Sequence, residues 1–460
     1  MLFASPAVND TGPKATRIDL FTLRTPQMRA FHVTWMAFFV CFVAWFAAAP
    51  LMPIIAKQLN LTKDQVANIN IASVTATILV RMIVGPLCDR FGPKRTYTWL
   101  LLLGSLPVFA LGFSNSYESF LFLRLCIGAI GASFVITQYH TSVMFAPNVV
   151  GTANATVGGW GNAGGGVAQS LMPFLATLMV GFGVEQYWGW RVAMFVPGVA
   201  MLVMAFVYAR FTQDTPQGDI IDLRAKGIAV DSGKKGGWAI FAQAAANYRV
   251  WMLAAVYGAS FGVEIFIHNV VTTYYVDRFS LSLQSAGLAA GIFGILALFA
   301  RAFGGIASDR IAVLKGLDGR TTLLFVLMLG EGLGLLLFAR AGSVGLAIAA
   351  MSVFGLFTHM ACGATYALMP FIDRKALGGV AGLIGAGGNV GAVVAGFINK
   401  SAGSTQQSLS VIGLIVVVTA FCAIAVRFSA TKKSQEQALL DEAIAQRRAW
   451  SPAPGMAIGD

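Results

Sequence analysis

The sequence predicts an all-α integral membrane protein, and three observations carry that prediction. Of its 460 residues 57% are hydrophobic and only 11% are charged, with a mean hydropathy of +0.72. A soluble domain carries about a quarter charged residues, so water cannot be the main solvent of this chain. Apolar runs of about 20 residues, the length a helix needs to cross the hydrocarbon core, recur from end to end. Lysine and arginine collect in alternate links between those runs instead of along one arm or stripe, which is the pattern that orients membrane helices. The net charge of +12 therefore speaks for a membrane topology and against nucleic acid as a partner.

Twelve spans are expected, near 31–52, 66–87, 96–113, 119–141, 151–182, 192–211, 250–276, 284–307, 321–340, 344–370, 378–400 and 409–428. With the N-terminus inside, about 23 basic residues fall in the inner links and about 6 in the outer ones. The inner set includes Arg90, Lys94, Arg95, Lys234, Lys235, Arg310, Arg374, Lys375, Arg447 and Arg448; the outer set includes Lys57, Arg278 and Lys400. Both termini are thus expected in the cytoplasm. The longest polar link, 212–249, divides the helices into bundles at 31–211 and 250–428, between an N-terminal segment, 1–30, and a polar tail, 429–460. Residues 1–30 are polar and basic and do not read as a cleavable signal peptide. Cys41, Cys88, Cys126, Cys362 and Cys422 are scattered and read as reduced packing residues, with no disulfide frame, metal site or cofactor implied.

The two halves repeat. Arg81 stands eight residues before the Asp89-Arg90 turn, and Arg301 stands eight before Asp309-Arg310. Asn162 lies in the run Gly161-Asn162-Ala-Gly164-Gly165, and Asn389 in Gly387-Gly388-Asn389-Val-Gly391. Two pseudo-symmetric six-helix bundles with a site at their interface is the logic of a transporter. Eight residues of helix lift each arginine about 12 Å from its turn, towards mid-depth. A charge there costs about 2.5–3.5 kcal/mol, and a small anion held between two planar guanidinium forks would offset it. The alternative is that each arginine pairs with a carboxylate or with backbone carbonyls and braces its helix.

The stretch Gly85-Pro-Leu-Cys-Asp89-Arg90-Phe-Gly-Pro-Lys94-Arg95 resembles the signature loop between helices 2 and 3 of the major facilitator superfamily. Residues 151–166 resemble the nitrate signature of its nitrate/nitrite porter family, and a weaker copy lies at 378–391. The resemblance covers 31–428. It implies a twelve-helix transporter of nitrate or nitrite, with Arg81 and Arg301 clamping the anion and Tyr257 and Phe261 as cavity aromatics. It also implies a charge network of Asp89, Arg90, Lys94, Asp309 and Arg310 that latches one conformation. Arg124, in Arg124-Leu-Cys-Ile-Gly128, matches a second superfamily pattern.

Tyr257, Phe261, Glu264 and His268 share one helix face by spacing. Aromatic walls suit a weakly hydrated flat anion, and a Tyr hydroxyl can donate to it; ordinary packing is the plainer reading of each ring. Phe134 is a further wall candidate. Asn162 and Asn389 offer amide donors, while Gly161, Gly164, Gly165, Gly387, Gly388 and Gly391 allow close packing and sliding of helices. Glu264 is the proton-coupling candidate, the other reading being a permanent salt bridge to Arg124, Arg81 or Arg301. His32, His140 and His359 read as structural.

The function expected is nitrate/nitrite transport by alternating access, as proton-coupled uptake (symport) or as exchange (antiport), by a monomer in a bacterial inner membrane. Nitrate, nitrite, protons and membrane lipid are its expected partners, and nitrate assimilation its setting. The rival readings are a carrier of another small anion such as a carboxylate, a membrane-embedded enzyme, for which no nucleophile, metal or cofactor constellation is present, and an anion sensor.

Overall fold

The structure, a computed structural model, describes residues 14–146, 149–227, 237–373 and 377–438. Lys234, Lys235, Arg374, Lys375, Arg447 and Arg448 lie outside them. Regular structure among the described residues is helical. First come α1 (Pro26–Phe46), which continues through Ala49–Leu51 into α2 (Met52–Gln58), then α3 (Lys63–Phe91) and α4 (Pro93–Leu111). Next, α5 (Tyr117–Gly128) and α6 (Ser133–Met144) join across Ala129–Ala132, followed by α7 (Val150–Gly181), α8 (Gly189–Ala193) and α9 (Phe195–Phe211). The linker carries α10 (Ile220–Ala225) and α11 (Gly237–Ala245). The second half has α12 (Tyr248–Phe279), α13 (Leu283–Ile295), α14 (Ala297–Ala339), α15 (Val344–Leu368), α16 (Leu377–Ser401) and α17 (Thr405–Ala425).

Helix starts follow local chemistry. Thr25, Thr62, Ser116, Ser282, Ser343 and Ser404 cap α1, α3, α5, α13, α15 and α17 by accepting a backbone N–H in the first turn. Each such cap contributes about 1 kcal/mol. Gly92 ends α3 at a φ of 86°, and Pro93 opens α4 directly behind it, the order expected of a sharp helix–helix turn.

Ten helices are long and apolar enough to cross a membrane among the described residues, against the twelve expected. Two places account for the difference. Pro93–Leu111 opens on Lys94 and Arg95, which dilute its apolar run. Leu283–Ala339 is counted once although it runs 57 residues, about 85 Å of helix against a hydrocarbon core of about 30 Å. It turns back at Gly316, whose φ of 57° and ψ of −148° are not helical. The stretch 308–320, expected as a polar link, is therefore helix on both sides of that glycine.

Helices of the first half pack on one another, α1 on α7 and α9, α4 on α9, and α3 on α5; in the second half α14 packs on α15 and α17, and α12 on α16. Between the halves, α7 meets α13 and α14, and α3 meets α16. The bonds across this seam cluster towards the end remote from the chain termini. Gln169 Nε2 donates to the His268 carbonyl at 2.7 Å, Ser170 Oγ to that of Gly287 at 3.2 Å, and Lys400 Nζ to Asn68 Oδ1 at 2.8 Å. Near the terminal end, Gly85, Gly151, Gly305 and Gly382 have no heavy atom within 4 Å of where a Cβ would stand. Among the described residues the bonds named between the halves lie at mid-depth and towards that remote end.

Candidate functional site

At mid-depth the two repeated arginines converge on one ring. The guanidinium carbon of Arg81, from α3, lies 5.9 Å from the Phe261 centroid, and that of Arg301, from α14, lies 5.7 Å from it. Arg81 also sits 5.2 Å from Phe134. Phe261 stacks on Tyr257 one turn away, with centroids 5.0 Å apart and planes 5° from parallel. The Tyr257 hydroxyl bonds that of Tyr366 at 2.5 Å, and Tyr366 lies parallel to Phe134 at 6.1 Å. Four rings from α6, α12 and α15 thus surround two cations.

The cations are held differently. Arg81 donates through Nη1 to the Gly385 carbonyl of α16 at 3.1 Å and through Nη2 to that of Gly131 at 3.3 Å, with no carboxylate partner among the described residues. Arg301 is fully buried and pairs through Nη2 with Glu264 Oε2. Both kinds of partner in the bracing alternative are therefore present, an acid at Arg301 and backbone carbonyls at Arg81. Arg301 keeps Nε and Nη1 without partners, and Glu264 keeps Oε1 without one. In a low-dielectric interior, such unpartnered groups are costly unless a ligand or proton answers them. Arg124, another candidate partner for Glu264, instead donates to the Trp45 carbonyl at 2.8 Å and to Asn269 Oδ1 at 3.2 Å. It braces the closed end of the seam.

The two asparagines each bond within their own helix. Asn162 Nδ2 donates to the Gly158 carbonyl at 2.8 Å and Asn389 Nδ2 to that of Gly385 at 3.3 Å, each one turn back in its own helix. Each amide spends one of its two N–H groups on that carbonyl, which leaves a second N–H beside a buried oxygen that has no partner among the described residues. Asn389 nonetheless reaches the site, since it shares the Gly385 carbonyl with Arg81. No bond ties Asn162 to either arginine among the described residues.

The glycines seat neighbouring helices. A Cβ on Gly161 or Gly164 would strike Phe38 or Phe39 of α1, and one on Gly165 would stand 3.0 Å from His268. On α16, a Cβ on Gly387 would stand 2.7 Å from the Ala254 carbonyl, and one on Gly391 would strike Gly258. Gly388 supports the site directly: a Cβ there would lie 2.7 Å from the Phe261 ring and 2.8 Å from that of Tyr257. Only glycine lets α16 lie against that stack.

At the terminal end, no ion pair joins Asp89 or Arg90 to Asp309 or Arg310 among the described residues. Each turn bonds within its own half. Arg224 donates to the Asp89 and Arg90 carbonyls at 2.7 and 2.8 Å, Lys94 pairs with Asp219 at 2.8 Å, and Asp309 with Arg320 at 2.7 Å. Asp214 accepts the backbone N–H of Lys94 at 2.8 Å and of Ile220 at 2.9 Å. Burial outweighs these two bonds and pushes its carboxyl up to about 6.

Two site residues escaped the sequence reading. Tyr366 closes Gly363-Ala-Thr-Tyr366, which parallels Gly131-Ala-Ser-Phe134 of the first half, so the repeat itself held the signal. His359 reads as structural in the sequence, yet its Nδ1 lies 3.4 Å from Glu264 Oε2, with both side chains fully buried. A buried imidazole in a membrane helix was the available signal.

Residues 34–371 match the model of the Major Facilitator Superfamily. The chain is 39% identical over 424 residues to the high affinity nitrate transporter 2.5 of Arabidopsis thaliana, covering 92% of this chain and 83% of that one. It is 38% identical to the high-affinity nitrate transporter 2.3 of Oryza sativa subsp. japonica, over 89% and 79% of the two chains. With the nitrate/nitrite transporter NrtP of Nostoc punctiforme it shares 28% identity, over 80% and 86%. Among solved structures, a bacterial homologue of the human lysosomal transporter Spinster, in an inward-facing and unoccupied conformation, matches the fold. Its TM-score is 0.63 at 14% identity, covering 93% of this chain and 99% of that one. The chain belongs to the major facilitator superfamily and, within it, to the nitrate/nitrite porter family.

Proposed function

We propose that this protein carries nitrate and nitrite across a membrane by alternating access, with Arg81 and Arg301 closing on one anion between the rings of Phe134, Tyr257 and Phe261. The observation that carries the reading is that two cations from opposite halves flank one phenyl ring while only one of them has a carboxylate partner. With Arg81, Arg301 and Glu264 ionised, the pocket keeps one net positive charge. A planar oxyanion can take the free edge of Arg301 and the charge of Arg81 together, and the names of the relatives point to the same cargo. Rings packed this close to the two guanidiniums favour a small flat ion over a bulkier carboxylate.

In this reading the halves, 31–211 and 250–428, rock about the site while the linker, 212–249, and the segments 1–30 and 429–460 stay on the cytoplasmic side of a bacterial inner membrane. The protein works as a monomer. Asn162 and Asn389 stand beside the anion, and the glycines of α7 and α16 let those helices slide on α1 and α12. The turns Asp89-Arg90 and Asp309-Arg310 latch the terminal end when it closes. Nitrate entry against an inside-negative potential costs about 2.3 kcal/mol per charge per 100 mV, so a cotransported proton or an exchanged anion must drive it. Glu264 couples the proton: ionised, it holds Arg301, and protonated, it releases that donor edge to the anion.

Flux of labelled nitrate and nitrite in proteoliposomes tests the reading, comparing wild type with Arg81→Lys and Arg301→Lys. Lysine keeps the charge but loses the planar fork, so both variants lose transport severely. Wild-type flux from either one would overturn the clamp.

A further inference from the structure

The donor and acceptor pattern around Glu264 assigns a proton site to its neighbour. His359 Nε2 lies 2.9 Å from the Phe293 carbonyl, which can only accept. Nε2 must therefore carry a hydrogen, and in a neutral ring Nδ1 is then a bare lone pair. Nδ1 lies 3.4 Å from Glu264 Oε2 and has no hydrogen-bond partner among the described residues. Two acceptors facing each other in a fully buried place repel, and the contact becomes attractive only when one more proton sits between them.

We infer that His359 holds the coupling proton beside Glu264 and so sets how strongly Arg301 attracts the anion. The inference rests on the proton-coupled reading above and deepens it. Without the extra proton, Arg301 and Glu264 neutralise each other. A proton taken from water forms an N–H bond at Nδ1, bonds to Oε2, and leaves the trio with one positive charge; passed to Oε2, it neutralises the carboxylate with the same net result. The anion arriving next to Arg301 restores neutrality. Proton and anion thus favour each other's binding, and by linkage the favour is mutual. His359 touches no cargo in this scheme; it is a positioning residue that acts through Glu264.

The surroundings limit where else the proton could rest. From α12, His268 is buried beside Phe46 and Phe293, with both ring nitrogens lacking partners. From α14 come Arg301 and the buried Glu331, and from α15 Cys362, whose sulfur is 4.0 Å from Glu264 Oε2. The α13 face offers only the Phe293 ring and carbonyl. Of these groups His359 alone touches the oxygen that binds Arg301 while having its other nitrogen fixed as a donor.

The test measures proton uptake on nitrate binding, with a pH dye and purified full-length protein, together with the pH profile of the nitrate KM in proteoliposomes. Wild type is expected to take up about one proton per nitrate, and its KM to fall about tenfold from pH 8 to pH 6. His359→Gln, whose amide can still donate to the Phe293 carbonyl, should take up almost none and show a flat profile. Adding it to Glu264→Gln should change the profile no further. Proton uptake survives as a readout if the variant folds but no longer transports. A wild-type proton count and profile in His359→Gln overturns the inference, as does nitrate/nitrite exchange by wild type without proton uptake. If wild type neither binds nor moves nitrate, the reading beneath falls as well.

Discussion

Arg81 and Arg301 occupy matched positions in a repeated sequence, yet one is held by carbonyls and rings and the other by an acid. Both project from a helix eight residues above an Asp-Arg turn, and both approach Phe261. The repeat therefore sets where each charge sits, while the neighbouring helices set what each charge does. Glu264 and His359 come from α12 and α15 of the second half, and the first half supplies Gly131 and Phe134 instead. A symmetric scaffold thus carries an asymmetric site: both halves can grip an anion, and one of them can also answer to a proton.

Replacing each arginine by glutamine should break the comparison most visibly. Arg301→Gln strands Glu264 as a buried charge, and losing one partner of such a pair costs about 3–5 kcal/mol. Arg81→Gln strands no charge, removes two bonds to carbonyls, and should cost about 1–3 kcal/mol. Thermal unfolding of the purified proteins separates them, with Arg301→Gln much the less stable although both lose transport. Adding Glu264→Gln to Arg301→Gln should recover much of the lost stability; no recovery would mean that the ion pair does not hold the second half as described.

Glu264→Gln alone sharpens the contrast. It removes the group that competes with the anion for Arg301, so uphill uptake driven by an imposed pH gradient should fall by about tenfold or more. Unchanged gradient-driven uptake would remove Glu264 from the coupling. Gly388→Ala probes what the halves share. The new Cβ would press on Tyr257 and Phe261, and overpacking of this kind costs about 1–3 kcal/mol, so nitrate affinity should drop about tenfold. Gly85→Ala, with nothing near it, serves as the control and should bind nitrate as wild type does.

Much of this arrangement was legible in the sequence because it depends on spacing along helices. The apolar runs, the paired arginines and the Tyr257–Phe261–Glu264 face follow from periods that a helix imposes locally. What was not legible depends on which helices become neighbours. The choice of Arg301 as the partner of Glu264 was one open option among three, and only the packing of α12 on the second-half bundle decides it. One N–H of each asparagine turns back to its own helix because a carbonyl one turn away is within reach in a dry interior. Hydropathy divided 308–320 from its flanks, but charged residues interrupt a hydropathy window without interrupting a helix; only Gly316, at positive φ, bends it.

The turns that follow the two Asp-Arg pairs extend the comparison to the membrane surface. In the second half, helix runs past Asp309-Arg310 to Gly316, whereas in the first half α3 ends at Gly92, whose position for a Cβ is filled by the Asp214 carboxylate. Burial raises that carboxyl from 3.8 to about 6, so the folded linker binds a proton more tightly than the unfolded chain. The stabilisation from protonation is fully present below pH 4 and is lost as pH rises through about 6. Unfolding temperature should therefore decline by about 2–4 °C between pH 4.5 and pH 7.5 on this account. Asp214→Asn stays neutral throughout and should flatten that slope. The corresponding change at Asp309, exposed and paired with Arg320, should leave it in place, because an exposed ion pair contributes little to stability. An unaltered slope in Asp214→Asn would mean that the Gly92 turn is held by its backbone geometry alone, and that the two halves differ in path without differing in chemistry there.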